Sequence, residues 1–172
     1  MKINKKHVIT VALFILLFII IYLADYFTKE YIRDNFAIGE TIEVIGDNVM
    51  ITHIKNSGIA FGLHFPGIQY LSYFAFIAVL WLLISYVKTE KPSMVNYVAF
   101  IMIISGAIGN LVDRFINGSV ADMIMVGIKG HYWPIFNIAD IAVSVGVAIF
   151  LLAGYIENRK EQILKEKGNI DA

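Results

Sequence analysis

Apolar residues fall into four blocks along this chain, each about long enough to cross a lipid bilayer, and polar residues gather between them. The blocks run from Val8 to Ala24, Ile68 to Val87, Val95 to Val112 and Ile138 to Ile156. At about 1.5 Å per residue, spans of roughly 17–20 residues reach about 25–30 Å, close to the hydrocarbon thickness of a membrane. The connection from Asp25 to Gly67 is too long for a simple hairpin and has its own pattern. Thr41–Ile45 and Asn48–Ile54 read as short strands, with Gly46-Asp47 as the turn between them. A two-stranded hairpin is marginal alone, so it is expected to lean on the bilayer or on the helix ends. Pro92 suits the first turn of the third span. The tail from Glu157 to Ala172 alternates charged and apolar residues and reads as a solvated helical extension. The expected fold is mainly α and integral to a membrane: four transmembrane helices, with a small extracytoplasmic β-sheet between the first and second. It is one domain over residues 1–172, with outer loops at 25–67 and 113–137.

Composition supports the membrane reading. Hydrophobic residues make up 58% of the 172-residue chain, above the roughly 45–50% of soluble proteins. A soluble domain this small could not cover that surface. Fourteen basic residues balance fourteen acidic ones, which gives no reason to expect a nucleic-acid partner. The absence of cysteine excludes disulfides, thiol nucleophiles, cysteine-ligated zinc and a lipidated N-terminal cysteine. The first block follows basic residues as a signal peptide would. Yet bulky Tyr22 and Leu23 precede Asp25 in place of a small-residue cleavage site, so it reads as an uncleaved anchor.

The cations orient the chain. Lys2, Lys5, Lys6, Lys88, Lys91, Arg159, Lys160, Lys165 and Lys167 lie on one side; Lys29, Arg33, Lys55, Arg114 and Lys129 are spread over the longer connections of the other. The positive-inside rule puts both termini in the cytoplasm. Asp25, Asn56, Asp113, Asp122 and Asp140 then converge on the outer face.

Asp140 is the most informative of these, because it sits just inside an apolar block, where a carboxylate is costly and marks a functional site. Asn137 and Asp140, at i and i+3, also suit a helix cap and the positive end of a helix dipole. Asp122 lies in Ser119–Ile124, a loop-like stretch, 18 positions before Asp140. Gly106, Asn110 and Asp113-Arg114 share one helical face. Gly106 and Gly109 let a neighbouring helix approach closely. Asp25 and Lys29 stand at i,i+4, the spacing of a helix-surface pair. Asn56–Gly62 reads either as a returning loop or as a backbone edge that pairs with an extended peptide. His7, His53, His64 and His131 lack metalloprotease spacing, and no serine-nucleophile elbow is present. No metal or cofactor is expected.

At these residues the chain resembles the lipoprotein signal peptidases, the type II signal peptidases of bacterial inner membranes. The likeness rests on five blocks in order: Asp25-x-x-Thr28-Lys29, Asn56-x-Gly58-x-Ala60-Phe61-Gly62, Gly106-x-x-Gly109-Asn110-x-x-Asp113-Arg114, Val120-Ala121-Asp122 and Pro134-x-Phe136-Asn137-x-Ala139-Asp140. It implies an aspartyl endopeptidase of the inner membrane that cuts prolipoproteins before a diacylglyceryl-modified cysteine and is a target of globomycin-type inhibitors. Asp122 and Asp140 match the family's catalytic pair. Asp25, Lys29, Asn56, Gly58, Asn110, Asp113, Arg114 and Asn137 match residues that support the site or substrate. Tyr26, Ala121 and Met123 depart from the family's usual glutamine, valine and phenylalanine. The expected partners are the lipidated substrate and membrane lipid, and the expected state is a monomer.

Two neighbouring carboxyls would share one proton, the ionised member activating a water and the neutral member donating to the scissile carbonyl. A different class, a small transporter or proton relay built on Asp140, would place acids at several depths. A third, an assembly factor, would use Gly106 and Gly109 for helix contacts.

Overall fold

Most of the apolar surface of this protein faces outward. In the computed structural model, which describes residues 5–58, 68–89 and 92–170, Ile9, Leu13, Ile20, Leu151 and Leu152 are all more than half exposed. Such a surface is stable only against lipid. The elements in chain order are α1 (Lys5–Asn35), β1 (Thr41–Ile45), β2 (Val49–Asn56), α2 (Ile68–Thr89), α3 (Met94–Asn117), β3 (Val120–Ile128), β4 (His131–Tyr132) and α4 (Ile138–Ile170). Helices α1, α3 and α4 each contain a stretch long and apolar enough to cross a membrane: Val8–Asn35, Met94–Asn117 and Ile138–Glu166. The second expected span also folds as a helix, α2.

Helix α3 is the element against which the other three helices pack. Its start is fixed by Ser93, whose side chain accepts the Asn96 N–H, and its end by Gly118 in the left-handed conformation (φ 70°), whose N–H reaches the Arg114 carbonyl. Only glycine takes that conformation without penalty. Ser105 donates to the Phe18 carbonyl at 3.1 Å, tying α3 to α1 within the apolar layer. Gly106 lets α4 close in: a Cβ there would overlap the Ala139 carbonyl and lie 2.9 Å from Val143. Gly109 faces α1 instead, and its Cβ would lie 2.6 Å from Asp25 Oδ2. The two glycines expected to serve one helix contact therefore serve two.

The strands form one antiparallel sheet in the order β1-β2-β3-β4. The expected hairpin is its first half, with Thr41 opposite Thr52 and Ile42 opposite Ile51. The stretch read as a loop around Asp122 is instead strand β3, paired with β2 so that Ile54 opposes Asp122. The sheet thus draws on the connection between α3 and α4 as well as the one between α1 and α2. Helix α1 also outruns the expected boundary at Ala24, continuing to Asn35 through the charged segment that was assigned to a loop. Helix α4 likewise continues from the apolar block through the charged tail. With α1 reaching Asn35 and α3 reaching Asn117, these two connections are shorter than 25–67 and 113–137. Motif residues Ala60, Phe61 and Gly62, and His64, lie outside the described residues.

Replacing Gly106 with Ala should destabilise the bundle by about 1–3 kcal/mol, the usual cost of overpacking. Gly154→Ala, where a Cβ meets no atom within 4 Å, should be neutral or slightly stabilising. Thermal unfolding of the two variants in one detergent checks the contrast.

Candidate active site

The carboxy ends of α1 and α3, the amino end of α4, strand β3 and the end of β2 meet at one end of the bundle, and they bring ten expected site residues together. Asp25 and Lys29 lie one turn apart on α1. Lys29 Nζ donates to Asp25 Oδ2 at 2.7 Å and to Asn110 Oδ1 at 2.9 Å. Both side chains are almost fully buried, 2–3% exposed. The expected surface pair is therefore a buried one, because α1 continues and α3 closes over it. Asp113 lies 3.7 Å from the same ammonium. It also pairs with Arg33, the next residue along the Asp25–Lys29 stripe. Its second oxygen accepts the Ala121 N–H at 3.0 Å, which anchors the strand that carries Asp122.

Asn137 caps α4. Its Oδ1 accepts the Asp140 N–H at 2.9 Å, while Asp140 Oδ2 accepts the Asn137 N–H at 3.2 Å. This reciprocal capping box satisfies two donors that a helix start leaves open. The Asn137 side chain has a further partner: its Nδ2 donates to Asp122 Oδ1 at 2.7 Å. One residue thus links the two carboxyls, its side-chain amide to Asp122 and its backbone N–H to Asp140, so the helix cap is also part of the acid cluster. Asn110 Nδ2 donates to the other Asp140 oxygen at 2.8 Å. Asn56, at the end of β2, donates to Asp122 Oδ2 at 2.8 Å and turns the chain by accepting the Gly58 N–H. The Gly58 carbonyl accepts from Arg114 at 3.2 Å. Asp25 completes the cluster from a distance of 114 residues, accepting the Ala139 N–H of α4 at 2.8 Å.

The four acids divide into two kinds. Asp25 and Asp113 pair with Lys29 and Arg33. Asp122 and Asp140 form no ion pair within 4 Å among the described residues; their recorded donors are side-chain amides and one backbone N–H. Burial raises the Asp122 carboxyl from its ordinary 3.8 to about 6. The Asn56 amide opposes that shift, the neighbouring Asp140 charge adds to it, and the Asn137 amide and Lys29 oppose it in turn. Among the described residues, no group of three or more histidine or acidic side chains is placed to hold a metal ion.

Arg33 was counted as a loop cation, although Asp25, Lys29 and Arg33 are spaced at i, i+4 and i+8. That stripe was the signal that α1 runs on. Of the three departures from the family pattern, Tyr26 is 43% exposed and stacks on Tyr22, away from the amide network. Ala121 and Met123 are buried on β3 either side of Asp122. The four acids gather in one hydrogen-bonded cluster, unlike the ladder of depths expected of a proton relay.

The chain is similar to known proteins over most of its length. Residues 17–156 match the family model described as signal peptidase (SPase) II. A lipoprotein signal peptidase of Fusobacterium nucleatum subsp. nucleatum is 34% identical over 152 residues, covering 88% of this chain and 91% of that protein. One from Syntrophus aciditrophicus (strain SB) is 37% identical over 149 residues, covering 83% and 91%. Among solved structures, a bacterial membrane enzyme determined by the in meso method at 2.3 Å resolution superposes with a TM-score of 0.77 at 30% identity, covering 86% of this chain and 90% of that one.

Lys29→Met leaves Asp25 buried without its partner and should cost about 3–5 kcal/mol. Adding Asp25→Asn, which keeps an acceptor for the Ala139 N–H, should restore part of that loss. Chemical denaturation of the single and double variants in detergent measures the recovery.

Proposed function

This chain belongs to the signal peptidase II family, aspartic-type peptidases that remove signal peptides from prolipoproteins, and we propose that Asp122 and Asp140 perform that hydrolysis here. The observation that carries the assignment is the division among the four acids. Lysine or arginine sits against Asp25 and Asp113, whereas amides hold Asp122 and Asp140. A carboxyl pair held by neutral donors, and joined through Asn137, is free to share a proton.

The roles follow from the surroundings of each acid. Asp140 occupies the first turn of α4, where the helix dipole favours an anion, and it serves as the base. Asp122, whose buried carboxyl is lifted to about 6, holds the proton and serves as the acid. Asp140 removes a proton from a water as the oxygen attacks the scissile carbonyl carbon. Asp122 donates its proton to the carbonyl oxygen. The tetrahedral intermediate then collapses, the C–N bond breaks, and the departing amine takes the proton held by Asp140. The oxygen proton returns to Asp122 as the carbonyl re-forms, and the two carboxyls regain their starting states. Asn110 and Asn137 fix the angle between them, and Lys29 fixes Asn110. Arg114, which reaches the Gly58 carbonyl, stands where a peptide backbone would enter.

The location suits a lipidated substrate. With α2 as a fourth crossing and both termini cytoplasmic, as the excess of cations on that side supports, the acids lie at the outer membrane interface. A diacylglyceryl cysteine keeps its acyl chains in the bilayer and presents the peptide bond before it at that level. The sheet would hold the extended segment from above.

Asp122→Asn and Asp140→Asn should each lower cleavage of a diacylglyceryl-modified prolipoprotein by about 10²–10⁴-fold while membrane insertion is retained. Full activity in either variant removes that residue from the pair. Because the neutral acid is required, kcat/KM should fall as pH rises through about 6, where Asp122 gives up its proton. The same raised carboxyl contributes stability that is complete below 3.8 and lost as pH rises through about 6. Asn56→Ala deletes a donor that favours the ionised form, so the alkaline limb of the rate profile should move to higher pH. A limb that stays in place would count against Asp122 as the acid.

A further inference from the structure

Two cavities lie along the α1–α3 face, and neither is lined by Asp122 or Asp140. The lower, about 150 Å³, has walls that include Tyr22, Tyr26, Val112 and Ile116. Of these, Ile116 is 68% exposed and faces outward like the lipid-contacting residues of α1. The upper, about 190 Å³, opens beside the sheet and is lined by Arg33, His53, Lys55 and Ser119, with no carboxylate in its wall. Arg33 and Asn117 line both, so the two form one groove leading from the apolar flank of the helices to the edge of the sheet.

The charge along this groove is graded. In its lower part the ions are already matched, Asp25 with Lys29, and both Asp113 and Glu30 with Arg33. In its upper part Lys55 is exposed and makes no ion pair among the described residues. The Phe36 carbonyl, which only accepts, fixes the proton of His53 on Nδ1 at 2.8 Å and leaves Nε2 open. A cleft with an apolar flank that ends in one unmatched ammonium and a hydroxyl at membrane-interface level complements a phosphodiester joined to acyl chains.

We propose that this groove binds an anionic glycerophospholipid of the surrounding membrane, its phosphate at Lys55 and an acyl chain along Tyr22, Tyr26 and Ile116. The site lies apart from the acid pair and does not depend on the hydrolysis assigned to it.

The test uses the full chain reconstituted in nanodiscs of phosphatidylcholine with a minority of phosphatidylglycerol, with retained lipid read by native mass spectrometry. Phosphatidylglycerol should be retained in preference to phosphatidylcholine. Lys55→Gln should lower its retention about five-fold, near the contribution of one interfacial cation. Lys55→Arg should keep it, and Ile116→Trp, which fills the lower groove, should weaken it. Lys129→Gln, which removes an exposed cation outside the groove, should change nothing. Equal retention of both lipids, no effect of Lys55→Gln, or an equal effect of Lys129→Gln would overturn the proposal. So would displacement of the lipid by excess inorganic phosphate, which would mark a simple anion site. None of these readouts is cleavage, so this proposal and the peptidase assignment fail separately.

Discussion

A lysine ammonium sealed inside a membrane protein is the constraint around which this structure is arranged. Taking such a charge out of water costs several kcal/mol even after relaxation, and Lys29 is only 2% exposed. It is tolerated because Asp25, Asn110 and Asp113 surround it from two helices. Each of those partners has a second task. Asp25 accepts an N–H of α4, Asp113 holds the strand before Asp122, and Asn110 turns its amino group towards Asp140. A single buried cation therefore sets the relative positions of α1, α3, α4 and β3, and through Asn110 it orients one member of the acid pair.

The site separates structural charge from chemical charge. Full cations are placed against acids that hold elements together; amides, which position a carboxylate without fixing its protonation, are placed against the acids proposed to react. Three asparagines, Asn56, Asn110 and Asn137, share this second duty from a strand end, a helix middle and a helix start. Three separate elements thus constrain the pair while its charge stays free to change. Gly109 belongs to the same logic, since any side chain there would push on the Asp25 carboxylate.

Much of this could be read from the residues. The long apolar blocks gave the helices, Gly46-Asp47 gave the first hairpin, and the ordered motif blocks gave the family. Asp140 stood out because an acid inside an apolar segment demands a reason. Strand β3 was less visible: Val120 to Met123 are all buried, so the alternation that betrays a half-buried strand is missing, and a short polar-flanked run suits loop and strand alike. The extension of α1 was hidden by Lys29, Glu30, Arg33 and Asp34, which look like a solvated loop until α3 supplies partners for Lys29 and Arg33. The run of α4 into the charged tail was legible too, since nothing there stops a helix before Gly168.

The hydrogen bond between Asp25 and Ala139 also joins α1 to α4 across most of the described chain. Until α4 emerges and inserts, Asp25 lacks that acceptor role; until α1 stands in the right register, the first turn of α4 lacks that acceptor. Completion of the bundle is thus checked from both ends of the chain. A polypeptide released early or threaded the wrong way would carry its acids without the framework that makes them dangerous to other peptides.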